Sequence, residues 1–334
     1  MATYIQAWRP VRLARAVYDT SPLLVSSLVA LLVANLASTG YRDYRLYISL
    51  GGGGPLPHNL FGWLVHSLVL QPLALARFWR TSSRHYLPLA DGGGRGYLKG
   101  QLGSRRGGRP KTAGVAPHRQ VDQLDETGSE EALKAHLRQL AANHPSHLLI
   151  SSSRIEPSST ALFSLTHTLV TRSDAPSRST RSAAFPSDLS RLFLSSLPGA
   201  EFCHVHAPPD APGKQDGSLH LVLSPEDADE VIGKGWGELH GLAGCPAYTG
   251  FWIGWPAWLA RRWSISGSAR WWSGAGWWAG GRAGAGAANK VQRKVGLPPT
   301  YTLIYAPRDD DEVEAVKRII NASVAFATGL REVP

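Results

Sequence analysis

The segments Glu201-Phe202-Cys203-His204-Val205-His206 and Ser218-Leu219-His220-Leu221-Val222-Leu223 read as two short apolar strands interrupted by histidines. A proline- and glycine-rich loop from Ala207 to Gly217 joins them. Ser224-Pro225-Glu226-Asp227 then opens a helix, with a serine cap, proline at the first helical position and acids at the positive dipole end. That helix closes near Gly233 or Gly235. A third apolar strand, Tyr301 to Tyr305, leads to Asp309-Asp310-Asp311-Glu312 and a last helix carrying Val313, Val316, Ile320 and Val324 on one face. Upstream, Ser129 caps a helix on which Leu133, Leu137 and Leu140 share a face, and Ala161 to Val170 alternates as a strand. Ser187 to Leu197 is a short helix stopped by Pro198-Gly199. Strands and helices do not alternate as βαβ units. The expected class is therefore α+β, a mainly antiparallel sheet with flanking helices, preceded by one N-terminal transmembrane helix.

His204 and His206 are two apart on a strand, so their side chains leave the same face, where His220 meets them if the register allows. Three imidazoles on one face can bind a metal, act as acid and base, or steady an oxyanion. The same spacing also suits hydrogen-bonded wall residues of a half-buried sheet. Lys234-Gly235-Trp236-Gly237-Glu238-Leu239-His240 adds His240 and Glu238 as candidates to complete the group, and Glu201 is a further carboxylate.

The ordered run of His-x-His (His204, His206), His220, Gly-Trp-Gly-x-x-His (Gly235 to His240) and Tyr-Ala-Pro-Arg (Tyr305 to Arg308) resembles the luciferase-type domain of fungi. The resemblance covers roughly Leu148 to Gly329, with a weaker echo in Pro55-Leu56-Pro57-His58-Asn59-Leu60-Phe61-Gly62-Trp63. It implies a membrane-anchored oxygenase that acts on a phenolic or pyrone-type small molecule with molecular oxygen. No metal or other cofactor is implied, because the substrate's own enolate reduces oxygen. Such chemistry needs a base, cationic or N–H donors for developing peroxide charge, and an apolar pocket that excludes water. On this reading the catalytic residues are His204, His206, His220, His240 and Arg308, the last as anion partner. Trp236, Glu238, Tyr301 and Tyr305 contact the substrate. The opposing class is a non-catalytic module that holds a small molecule or lipid at a membrane surface.

Leu23 to Thr39 contains no charged residue. As a helix it spans about 26 Å, slightly short of the hydrocarbon layer, and Tyr18, Tyr41, Tyr44 and Tyr47 supply an interfacial belt. A single-pass anchor in the endoplasmic reticulum or another endomembrane is the expectation. A cleaved signal peptide, with Ala37-Ser38-Thr39-Gly40 as its cleavage stretch, has the same order of basic, apolar and small residues. Flanking charges are too balanced to orient the helix.

The net charge of +10 is concentrated between Arg77 and Arg119, where ten Lys and Arg face Asp91 alone. A basic stretch beyond an anchor suits anionic headgroups. A solvated linker is the plainer alternative, and nucleic acid is not an expected partner. Cys203 and Cys245 do not make a disulfide framework. Eight of the twelve tryptophans fall between Trp252 and Trp278, in a stretch without acids. This organisation gives residues 1–45 as anchor, 46–128 as interfacial segment and basic linker, and 129–334 as the luciferase-type domain. A Trp-rich insertion at 245–296 is expected to lie peripheral to its core.

Overall fold

The computed structural model describes residue 15 and residues 18–51, 54–83, 96–124, 128–165, 188–206, 217–244 and 297–330. It divides into two units, Met1–Ser49 and Leu50–Pro334. In the first, helix α1 (Pro22–Ser49) is 28 residues long and reaches a mean hydropathy of 1.9 over its most apolar 18-residue window. Leu23, Leu28, Leu31, Leu32 and Leu36 are all exposed on it. The helix is long and apolar enough to cross a membrane, and it continues past the uncharged run through Arg42 and Arg45 to Ser49.

The second unit is built on a six-stranded sheet. Its strands are β3 (Leu148–Ser152), β4 (Thr160–Ser164), β5 (Glu201–Val205), β6 (Leu219–Val222), β7 (Gly237–Leu239) and β8 (Tyr301–Ile304), ordered β3-β4-β5-β6-β8-β7. Every pairing is antiparallel, as expected for an α+β domain. A small hairpin precedes it, β1 (Thr112–Ala113) with β2 (Arg119–Gln120). The helices are α2 (Leu60–Leu73, with a π turn at His66–Leu70), α3 (Arg77–Arg80), α4 (Ser129–Asn143), α5 (Asp188–Ser195), α6 (Pro225–Gly233) and α7 (Asp310–Thr328).

The two faces of the sheet differ in chemistry because strand side chains alternate. On one face Leu162 lies opposite Cys203, Cys203 opposite Leu221, and Val205 opposite Leu219. These residues merge with Leu133, Leu137 and Leu140 of α4 and Val316, Ile319 and Ile320 of α7 into the main apolar core. The other face carries Ala161, His204, His220, Leu303 and Glu238 in one row across β4, β5, β6, β8 and β7. An irregularity in the β4–β5 pairing brings Glu201 opposite Phe163, so Glu201 joins the histidine face rather than the core.

Helix ends follow local chemistry. Ser224 accepts a hydrogen bond from the Asp227 amide at 3.1 Å, and Asp309 accepts one from the Glu312 amide at 2.9 Å. Ser129 is not the cap of α4. Gly128 takes that position at φ 78°, and the Ser129 hydroxyl donates to the Pro307 carbonyl. The strand expected from Ala161 to Val170 is observed from Thr160 to Ser164, and 166–170 lie outside the described residues. In the Gly235-Trp236-Gly237 motif, Gly235 sits at φ 85°, and a Cβ on Gly237 would come within 2.4 Å of the Leu303 carbonyl oxygen.

Part of the stretch expected as a basic linker is a fixed cover. Asp227 accepts the amides of Tyr97 and Leu98 at 3.1 and 2.8 Å, and Glu230 accepts those of Gly100 and Leu102 at 2.9 and 2.8 Å. Arg105 has a side chain only 1% exposed, donating to the Ala306 carbonyl and lying 3.5 Å from Glu312. Arg109 donates to the carbonyls of Gly237 and Ile232. These cations serve carbonyls and carboxylates of the domain.

The Trp-rich stretch 245–296 lies outside the described residues, but its flanks are informative. The Gly244 amide donates to the Leu297 carbonyl at 3.0 Å, so the two ends of the insertion stand one hydrogen bond apart. Replacing 248–293 with a short Gly/Ser linker is expected to keep the cooperative thermal melt, since closure entropy changes by only about 0.6 kcal/mol per doubling of loop length. Loss of that melt would make the stretch part of the core.

Candidate functional site

Antiparallel pairing sets His204 directly opposite His220, and the ring of His206 comes to 4.6 Å of the His220 ring between centroids. His240, just beyond β7, lies 5.1 Å from His220. A fifth imidazole, His118, descends from the β1–β2 hairpin and stacks on His220 at 5.5 Å, meeting His240 edge-on at 5.0 Å. Tyr301 stacks on His220 at 5.2 Å with ring planes 14° apart. All five histidines are buried, His240 being the most exposed at 7%.

The ring nitrogens of His206, His220 and His118 form a continuous chain. Ser218 Oγ and His206 Nδ1 are 2.8 Å apart, His206 Nε2 and His220 Nδ1 2.8 Å, and His220 Nε2 and His118 Nδ1 3.4 Å. The chain ends where His118 Nε2 lies 3.4 Å from Glu238 and 3.2 Å from Arg80. Glu238 is itself held by the Thr112 hydroxyl at 2.7 Å, the Tyr305 hydroxyl at 3.1 Å and Arg80 at 3.1 Å. His204 stands beside this chain and donates from Nδ1 to Glu201 at 2.9 Å. Its Nε2 faces Glu156 Oε2 at 3.5 Å, and that same oxygen is 3.7 Å from His206 Nε2. Arg119 pairs with the other Glu156 oxygen. His240 accepts the Leu242 amide on Nδ1 at 3.0 Å, so its neutral ring carries the proton on Nε2.

Burial dominates the electrostatics. It lowers the His220 and His240 pKa values well below the ordinary imidazole value, and the neighbouring histidines push in the same direction. Both rings are therefore neutral near physiological pH. Burial, then Glu201 and Cys203, raises the Tyr301 phenol well above its usual range. Burial also disfavours the Glu238 carboxylate, yet the hydrogen bond and charge of His118, the charge of Arg80 and the Thr112 hydroxyl hold it down to about 2.

The structure gathers His204, His206, His220, His240, Glu238 and Tyr301 at one place. Tyr305 reaches it through Glu238, and Arg105 lies over the Tyr305 ring at 5.7 Å. Arg308 does not enter this cluster. Its partners are the Glu312 carboxylate and the Arg106 carbonyl, and among the described residues it has no bond to any histidine. Trp236 belongs to the apolar core and gives its indole N–H to the Gly103 carbonyl at 2.6 Å. Sequence reasoning missed His118, Glu156, Arg80 and Arg119. None sits in a histidine-patterned strand, and only the hairpin, the turn after β3 and helix α3 bring them to the sheet. Two trios have metal-ligand spacing, His118/His220/His240 and His204/His206/His220, with donor atoms within 4.8 Å of one another.

Comparison with known proteins bears on the same strands. Residues 199–323 match the family model of the luciferase domain, a span from the start of β5 into α7. These residues are a luciferase-type domain. The chain is also similar to the luciferases of Armillaria ostoyae and Armillaria gallica, 27% identical over 316 residues, or 91% of this chain and 88% of each relative. It is 24% identical over 291 residues to the luciferase of Neonothopanus nambi, covering 86% of this chain and 80% of that protein. No solved structure matches.

The luciferase-type domain is expected to depend on Glu238 for stability. A depressed carboxyl pKa stabilises the fold above the ordinary value of 4.5, and the contribution is lost as pH falls toward about 2. Glu238→Gln should therefore melt below wild type at neutral pH, with the gap closing between pH 4.5 and about 2 in thermal denaturation. A gap that persists unchanged into acid would refute a charge-based role.

Proposed function

We propose that the domain is a membrane-anchored oxygenase acting on a phenolic or pyrone-type small molecule, with molecular oxygen as co-substrate. Supporting this reading are the similarity to fungal luciferases over most of the chain and the buried histidine face common to β5, β6 and β7. The observation that carries it is the fixed tautomer of His240. With Nδ1 occupied by the Leu242 amide, its Nε2–H is a neutral, preorganised donor for an enolate or peroxide oxygen. In this scheme the substrate enolate supplies the electrons for oxygen reduction. A neighbouring neutral imidazole takes the enol proton, and Tyr301 presents a flat aromatic face beside His220. Arg308, tied to Glu312, is left out of the anion-stabilising role. Helix α1 holds the enzyme as a single-pass protein at an endomembrane, where an apolar substrate partitions, and exposed basic residues such as Arg106 contact lipid headgroups.

Oxygen-electrode assays with enolisable pyrones and ortho-diphenols test the chemistry. Wild type should consume oxygen above the blank, and His240→Gln should lose roughly a hundredfold of the rate while keeping its cooperative melt. Saturable binding across the panel without oxygen uptake would make the domain a non-catalytic binding module. Deleting residues 1–49 should release the protein from carbonate-washed membranes. A full-length chain that washes off already would rule out the anchor.

A further inference from the structure

We propose that His204, His206 and His220, together with Glu156, form a binding site for one divalent first-row transition-metal ion. The inference rests on the geometry of the cluster, not on the oxygenase reading, and it departs from the cofactor-free chemistry that the family resemblance implies.

Four donor atoms converge: His204 Nε2, His206 Nε2, His220 Nδ1 and Glu156 Oε2. One ring nitrogen from each of the three imidazoles lies within 4.8 Å of the other two, and Glu156 Oε2 is 3.5 Å from His204 Nε2 and 3.7 Å from His206 Nε2. In a tetrahedral site with metal–nitrogen bonds of about 2.0–2.1 Å, neighbouring donors are roughly 3.3 Å apart. Three imidazoles and a carboxylate suit zinc, iron, cobalt or copper rather than magnesium or calcium. The pair His206 Nε2 and His220 Nδ1, at 2.8 Å, is closer than that. Those two nitrogens share a single proton, and an ion takes the place of that proton. A flat organic molecule does not fit between nitrogens already in hydrogen-bond contact.

The second nitrogen of each ligand is also provided for, as metal-bound imidazoles require. His204 Nδ1 donates to Glu201 at 2.9 Å, and His206 Nδ1 faces Ser218 Oγ at 2.8 Å. His220 Nε2 faces His118 Nδ1 at 3.4 Å, and His118 passes the bond on to Glu238. Glu156 is fixed by Arg119 on its other oxygen. Charge points the same way, since the carboxyl groups of Glu156, Glu201 and Glu238 meet two guanidinium groups, Arg80 and Arg119.

The alternative trio of His118, His220 and His240 is a poor cation site. The Leu242 amide occupies His240 Nδ1 and leaves a protonated Nε2, and Arg80 sits 3.2 Å from His118 Nε2.

Untagged full-length protein in detergent, stripped with chelator, is titrated with Co2+ and followed by visible absorption and thermal melting. One equivalent should bind, giving ligand-field bands of a low-coordinate site and a higher melting temperature. His206→Gln should weaken binding by more than the roughly 10–100-fold that loss of an outer partner costs, whereas His240→Gln should bind Co2+ like wild type. Absence of bands and of stoichiometric binding would overturn the proposal, as would a loss that follows His240 instead of His206. If His206→Gln does not fold, the wild-type melt decides: a Co2+-dependent rise supports the site, and no shift overturns it. Because no substrate is present, the outcome is independent of whether the domain consumes oxygen.

Discussion

The pairing of β5 with β6 places His204 opposite His220 on a sheet face that is buried. Most of the rest of the domain answers to that pairing. Buried imidazoles and carboxyl groups are tolerated only when their polar atoms find partners, because an unpartnered polar group in a low-dielectric interior costs several kcal/mol. An apolar cover would fail here. The cover is instead polar: Arg80 from α3, His118 and Arg119 from the hairpin, Ser153 and Glu156 from the turn after β3. Each meets a group that the strands alone leave unmatched.

How the cover is attached follows from the same logic. The chain that leads to the hairpin is fixed upstream of it, where the amides of Tyr97, Leu98, Gly100 and Leu102 are clipped to Asp227 and Glu230 of α6. Hydrogen bonds to charged groups are worth about 1.5–3 kcal/mol each, enough to fix a segment that buries only Leu98 and Leu102 in the core. Asp227 serves twice. It stands in the first turn of α6, where the helix dipole favours it, and it holds the Tyr97 and Leu98 amides.

What was legible in the sequence and what was not divide along contact range. The strands at Glu201, Ser218 and Tyr301, the caps at Ser224 and Asp309, and the antiparallel α+β class all rest on alternation and capping within a few residues. Local pattern suffices there. The convergence of His204, His206, His220 and His240 was likewise legible, because strand alternation and the Gly-Trp-Gly-x-x-His motif place them. His118 and Glu156 were not, since their positions depend on a hairpin and a turn whose docking is decided by charges far away in sequence. Arg308 misled for the converse reason. Its place in the Tyr-Ala-Pro-Arg motif that carries the resemblance implied an anion partner, whereas in the structure Glu312, four residues on along α7, binds it. Net charge misled in the same way: Arg105 and Arg109 belong to the basic stretch expected to meet anionic headgroups or, as a linker, solvent, yet they spend donors on domain carbonyls.

The two faces of the sheet divide the work of the domain. The helix-covered face, packed by α4 and α7, is apolar and carries the stability expected of a core. The histidine face contributes little hydrophobic stabilisation, and it ties up three carboxyl groups, two guanidiniums and five imidazoles. An arrangement of that cost is hard to explain as structural filler, because an apolar layer of the same volume would stabilise the fold at least as well. The polar groups are also not scattered. All but His240, which contacts the others through its ring, form one connected network that runs from Ser218 to Glu238 and branches at His206 toward Glu156 and His204. A network of this kind holds protons or an ion at defined positions while the opposite face keeps the sheet rigid. Rigidity is the condition for such a site to work, since donors held within a fraction of an ångström stabilise developing charge without first having to reorganise.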